Sequence, residues 1–79
     1  GICEGDTLIL DRSLEPRSGD IVLAFLHGDF TLKRLRIRDG KIELCPENAA
    51  ADYPVICPGE GDNFSIEGVL TGICRKFRR

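Results

Sequence analysis

The sequence has one histidine, His27, and no Cys-x-x-Cys pair. Zinc-ligand spacing is therefore missing, and no metal or other cofactor is expected. Four cysteines stand at positions 3, 45, 57 and 74. Cys45, Cys57 and Cys74 each sit in or beside an apolar run, which reads as buried free thiols in a reducing compartment. The alternative is a disulfide framework, for which four cysteines allow three pairings. Long hydrophobic runs are also lacking. The longest stretch without charge, Gly or Pro is Ile21–His27, far short of the ~20 apolar residues of a membrane helix. Nothing at the front reads as a signal peptide, so a cytoplasmic location is expected. No glycine-rich loop suited to phosphate is present. No helical period appears, since Ala49–Ala51 is only three residues long. There is no internal repeat. The formal net charge of −2 lacks the basic excess typical of nucleic-acid binders, so direct DNA binding by this chain is not expected.

What is present is enough for a small core. Leu, Ile, Val and Phe account for 24 of 79 residues, above the level at which disorder sets in. A chain this short buries only a little over ~60% of its unfolded surface. Help from a partner chain, or from a further piece of the same protein, is expected. The chain opens Gly-Ile-Cys-Glu-Gly-Asp without Met and reads as part of a longer protein.

Turn residues cut the chain into short apolar pieces, the pattern of strands. Thr7–Asp11 is a first strand, followed by a turn at Pro16, Ser18 and Gly19. Asp20–Leu26 is almost continuously apolar, as for a strand buried on both faces. His27-Gly28 fits a two-residue hairpin turn into Asp29–Arg38, and Asp39-Gly40 a second into Lys41–Cys45. A loop, Pro46–Tyr53, precedes a short strand, Pro54–Cys57. A further loop, Pro58–Asn63, leads to Phe64–Phe77, a final strand or pair interrupted by Gly68 and Gly72. The expected fold is all-β, with about six or seven short strands in small twisted sheets.

Asp29–Arg38 carries the most chemistry. Alternate strand residues face opposite sides. Thr31, Lys33, Leu35 and Ile37 share one face; Phe30, Leu32, Arg34, Arg36 and Arg38 share the other. A lysine among apolar neighbours is unusual, because burial disfavours its charged form and frees the amine to act as a base. From the pattern alone it is more simply a lysine at the strand's exposed end, or one that snorkels to water. The arginine face could grip phosphate or carboxylates, or simply be solvated. The tail Arg75–Arg79 could contact DNA or a polymerase, though it reads more simply as a solvated terminus, and His27 reads as a surface turn residue.

Gly1-Ile-Cys-Glu-Gly-Asp-Thr-Leu-Ile-Leu-Asp11, Gly19-Asp-Ile-Val-Leu-Ala24, Phe30-Thr-Leu-Lys-Arg-Leu35, Leu44-Cys-Pro-Glu-Asn48 and Phe64-Ser-Ile-Glu-Gly-Val69 together resemble the peptidase domain of the LexA/UmuD family. The resemblance runs in order along essentially the whole chain. It implies a β-clip type domain related to signal peptidase, here residues 1–79, a truncated C-terminal peptidase S24-like domain. It also implies a Ser-Lys dyad that cuts a peptide bond in the protein's own N-terminal arm, and Lys33 matches the dyad lysine. The family's serine lies in a Gly/Ala-x-Ser-Met segment just ahead of the stretch matching Gly1–Asp6. Ser13, Ser18 and Ser65 do not match it, so this chain by itself is expected to be inactive. The wording is nearest the UmuD-type branch. For that branch the resemblance implies an SOS-response protein whose cleavage is stimulated by the RecA–DNA filament. The product then joins an error-prone polymerase in synthesis past DNA damage. The alternative is the C-terminal dimerisation and self-cleavage domain of a LexA-like or phage-type repressor. Either reading implies a homodimer, often paired through C-terminal strands. A structural β domain with no peptidase ancestry would require the Phe30–Leu35 match to be accidental.

Overall fold

The structure is a computed structural model, and it describes residues 4–47 and 54–75. The Ala49–Ala51 run, Cys3 and the basic tail beyond Arg75 lie outside the described residues. Within them the chain forms five strands: β1 (Thr7–Asp11), β2 (Ile21–Leu26), β3 (Asp29–Arg38), β4 (Lys41–Cys45) and β5 (Phe64–Cys74). They make one antiparallel sheet in the order β1-β5-β2-β3-β4. The all-β expectation is met with five strands rather than six or seven. Pro54–Cys57 contributes a single bridge, Ile56 to Leu44, because Pro54 and Pro58 bracket it without an N–H to extend a ladder. Phe64–Phe77 is not a pair but one continuous strand as far as Cys74.

The two hairpin turns are as the sequence requires. His27 and Gly28 take φ of 51° and 88°, Asp39 and Gly40 take 51° and 74°. Positive φ at both central positions defines the type I′ turn, whose twist suits the flanking strands. The turns lock the register of β3 against both neighbours, pairing Val22 with Lys33 and Leu35 with Leu44.

One face of the sheet holds the core. Val22, Ala24, Leu35, Leu44 and Val69 are buried, with Ile42, Ile56, Phe64 and Ile66 packed against them. β2 is central in the sheet, but it is fully buried on that face alone: Val22 and Ala24 are covered, while Ile21, Leu23 and Phe25 are half-exposed. The expectation of burial on both faces fails because no second layer covers the other side among the described residues. On that side Phe25 and Phe30 meet edge to face, their ring centroids 5.0 Å apart.

β5 changes partner along its length. Its first half pairs with β2 from Phe64 to Val69, and its second half pairs with β1 from Val69 to Cys74. Each ladder shifts register once, between Leu23 and Ala24 and between Ile9 and Leu10. At Gly68 a β-carbon would stand 3.3 Å from the Leu10 β-carbon, and at Gly72 one would stand 3.4 Å from the Ile9 δ-carbon. These glycines let β1 cross close to the bulged strand, which is their positional role in a sheet.

Candidate active site at Lys33

β3 carries Lys33 on the core face. Directly across lies Val22, across from Val22 lies Val69, and two residues along β3 lies Leu35. All three are buried, and Lys33 itself is half-buried. The alternation read from the sequence is therefore realised: Lys33 belongs to the apolar face and the arginines to the other. A slip of one residue would exchange the faces, but the type I′ turns prevent it.

The arginine face is bound internally. Arg34 donates to both carboxylate oxygens of Glu47, at 2.8 and 2.9 Å, and from Nη1 to the Gly19 carbonyl at 2.6 Å. Arg36 pairs with Glu43. That hydrogen bond, with the nearby Cys45 thiol and the Glu43 charge, raises the Arg36 pKa further. Arg75 pairs with the almost fully covered carboxylate of Asp6 at 3.0 Å. The charges of Arg34 and Arg36 are thus met by the protein's own carboxylates, which removes the phosphate-gripping alternative for that pair.

The three serines have local duties. Ser13 donates its hydroxyl to Asp11 Oδ1 at 2.6 Å and its amide to the same oxygen at 2.8 Å. These bonds hold the Asp11 carboxyl below the usual carboxylate range, the hydroxyl contributing most. Ser18 accepts from the Ile37 amide at 3.0 Å, and Ser65 donates to Glu67 Oε2 at 2.6 Å. The row Asp11, Val69, Val22, Lys33 crosses four strands on one face. Asp11 ends this row three strands from Lys33, a placement the sequence reasoning missed, because the pairing of β1 with β5 joins segments nearly a chain length apart.

Cys45, Cys57 and Cys74 are free thiols, but Cys57 and Cys74 are exposed and Cys45 is half-buried. The expectation of buried thiols is corrected here. Cys74 ends β5, and Cys57 follows the Leu44–Ile56 bridge where the chain leaves the sheet edge. His27 stands exposed at its turn, with Nε2 3.1 Å from Asp62 Oδ1. Among the described residues no group of three or more His, Cys, Asp or Glu could hold a metal ion.

Residues 1–71 match the model of the peptidase S24-like family. The chain belongs to that family. It is 45% identical over 75 residues to a LexA repressor of Paracidovorax citrulli, covering 95% of this chain and 33% of that protein. It is 47% identical over 75 residues to a LexA repressor of Verminephrobacter eiseniae, with the same shares. A LexA repressor of Bordetella parapertussis is 44% identical over 75 residues, 95% of this chain and 34% of that protein. The chain thus spans about a third of the length of these relatives. Their names favour the repressor alternative over the UmuD-type reading and lend no support to a role in translesion synthesis. No helix among the described residues is long and apolar enough to cross a membrane.

Proposed function

We propose that this chain is the lysine-bearing part of the self-cleaving domain of a LexA-like transcriptional repressor. The observation that carries this is the place of Lys33. It lies in the Phe30–Leu35 segment, inside the family match, on the core face beside Val22 and Leu35. A half-buried lysine on that face can serve, as its free amine, as a general base. In the proposed reaction the neutral Lys33 amine takes the hydroxyl proton of a serine supplied from upstream of Gly1. The serine oxygen attacks a carbonyl in the protein's own N-terminal arm, and the amine returns the proton to the leaving nitrogen. Water then releases the serine ester.

DNA binding would reside in a separate N-terminal domain, and the RecA–DNA filament would stimulate the cut in the cytoplasm. A homodimer would form through the C-terminal strand. The second half of β5 supports this last point. Beyond Val69 it has β1 on one side and no described strand on the other, and Ile73 there is exposed.

The test uses a protein carrying this domain with its upstream segment, incubated from pH 7 to about 10, its products weighed by mass spectrometry. A single cut upstream of Gly1 is expected. Its rate should rise with pH, and the cut should be lost in Lys33→Ala. An uncut chain at every pH would reduce Lys33 to a structural lysine and leave a dimerisation module. Cleavage that persists in Lys33→Ala would assign the base elsewhere.

A further inference from the structure

β4 is the outer strand of the sheet, and its outer edge is engaged at one point and open beside it. Leu44 exchanges both backbone hydrogen bonds with Ile56, at 2.7 and 2.9 Å. By the two-residue alternation of a strand, the N–H and C=O of Ile42 point to the same outer edge. Carried one step further, the register of the Leu44–Ile56 bridge would set Pro58 opposite Ile42, but the bridge is isolated and no second pair forms among the described residues. Proline has no N–H, so the ladder stops there. A cleft of about 840 Å³ opens at this position, between Gly40–Glu43 and the segment from Cys57 to Asp62.

The walls of the cleft are built. Gly59 donates to Asp62 Oδ2 at 2.7 Å, and the Asp62 amide returns a bond to the Gly59 carbonyl at 3.1 Å. The same carboxylate meets His27, whose amide donates to the Asn63 carbonyl at 3.1 Å. This ties the loop to the β2–β3 turn. Ile42 and Phe64 supply apolar surface within the cleft. Around them, opposite Lys41, stand Glu60, then Asp62, which already meets His27 and the Gly59 amide, and Glu43, which already pairs with Arg36.

We propose that this edge binds an extended peptide segment of another protein, laid antiparallel to β4 and alternating basic with apolar residues. The backbone of Ile42 would supply the pairing, as in other cases of strand addition to a sheet edge. Apolar side chains of the peptide would cover Ile42 and Phe64. Basic ones would meet Glu60 and Asp62, which, with Glu43 offset by Arg36, leave a small negative excess over Lys41 that selects against acidic segments. The proposal is independent of the role assigned to Lys33.

The experiment titrates isotope-labelled protein with a capped synthetic peptide, Thr-Lys-Val-Arg-Val-Lys-Thr, and with a counterpart carrying Glu at the three basic positions. Amide shifts and hydrogen exchange are followed by NMR. The basic peptide should saturate shifts at Lys41–Glu43 and Cys57–Asp62 and slow exchange of the Ile42 amide. The acidic peptide should bind at least about tenfold more weakly. Ile42→Pro removes the outward N–H at a position where an edge strand tolerates proline, and should weaken binding by at least about tenfold. Glu60→Lys changes an exposed side chain and should narrow or reverse the preference between the peptides, so the test stands even where Ile42→Pro does not fold. Equal binding of both peptides, shifts mapping elsewhere, or no saturation at millimolar peptide would overturn the proposal. So would the same shifts arising from protein concentration alone, which would assign the edge to a second copy.

Discussion

The two ends of the sheet are built on different terms. From β2 through β4 the strands follow one another through two-residue turns, and their shared face holds Val22, Ala24, Leu35 and Leu44. At the other end β1 pairs with the second half of β5, joining Thr7 to Cys74 across nearly the whole chain. That ladder is bulged, and it leaves Ile9 and Ile73 exposed. The first end is closed by local contacts, which cost little loop entropy. The second must close a long loop and gains less burial in return. Lys33 sits in the well-closed part, while the surface proposed for dimerisation sits in the other.

Mutations can sharpen that contrast. Leu35→Ala would remove a fully buried side chain from the hairpin region and should cost about 2–5 kcal/mol of stability, read from urea unfolding. Gly68→Ala would press a methyl group against Leu10 at 3.3 Å, with the Asp11 carbonyl 3.7 Å away. It should cost about 1–3 kcal/mol, and hydrogen exchange should show the loss concentrated in β1 while the β2–β3 amides stay protected. Equal loosening of both ends would show that the sheet opens as one unit. The smallest effect belongs to Ser13→Ala. Removing the hydroxyl that bonds Asp11 should raise the Asp11 pKa toward its ordinary value, measured by NMR titration. The sign follows from linkage. A folded carboxyl held low adds stability above its unfolded value and loses it as pH falls through the folded one. The variant should therefore lose a little stability near neutral pH and differ least in strong acid.

The same contrast explains what could be read in advance. Both hairpins were legible, because His27-Gly28 and Asp39-Gly40 supply the backbone that type I′ turns demand. The two faces of β3 followed from alternation, and with them the company of Lys33 and Leu35. The pairing of Val22 and Val69 into that company was not legible, because it depends on β5, which arrives from the far end of the sequence. Gly68 and Gly72 look like interruptions of a strand. They are places where β1 needs room, a fact visible only once Ile9 and Leu10 are in position. Pro54–Cys57 has strand composition, but its flanking prolines limit it to one bridge. Cys57 and Cys74 have apolar neighbours in sequence, yet both fall where the chain leaves the covered face.

The residue that follows Lys33 has a mechanical consequence. Arg34 is held on one flank by Glu47, just past the end of β4, and on the other by the Gly19 carbonyl, just before β2 begins. Its guanidinium therefore acts as a strut spanning three strands on the side opposite the lysine. Rolling β3 about its own axis would have to break that strut at both ends. The strand that carries Lys33 is thereby braced against rolling from the opposite side.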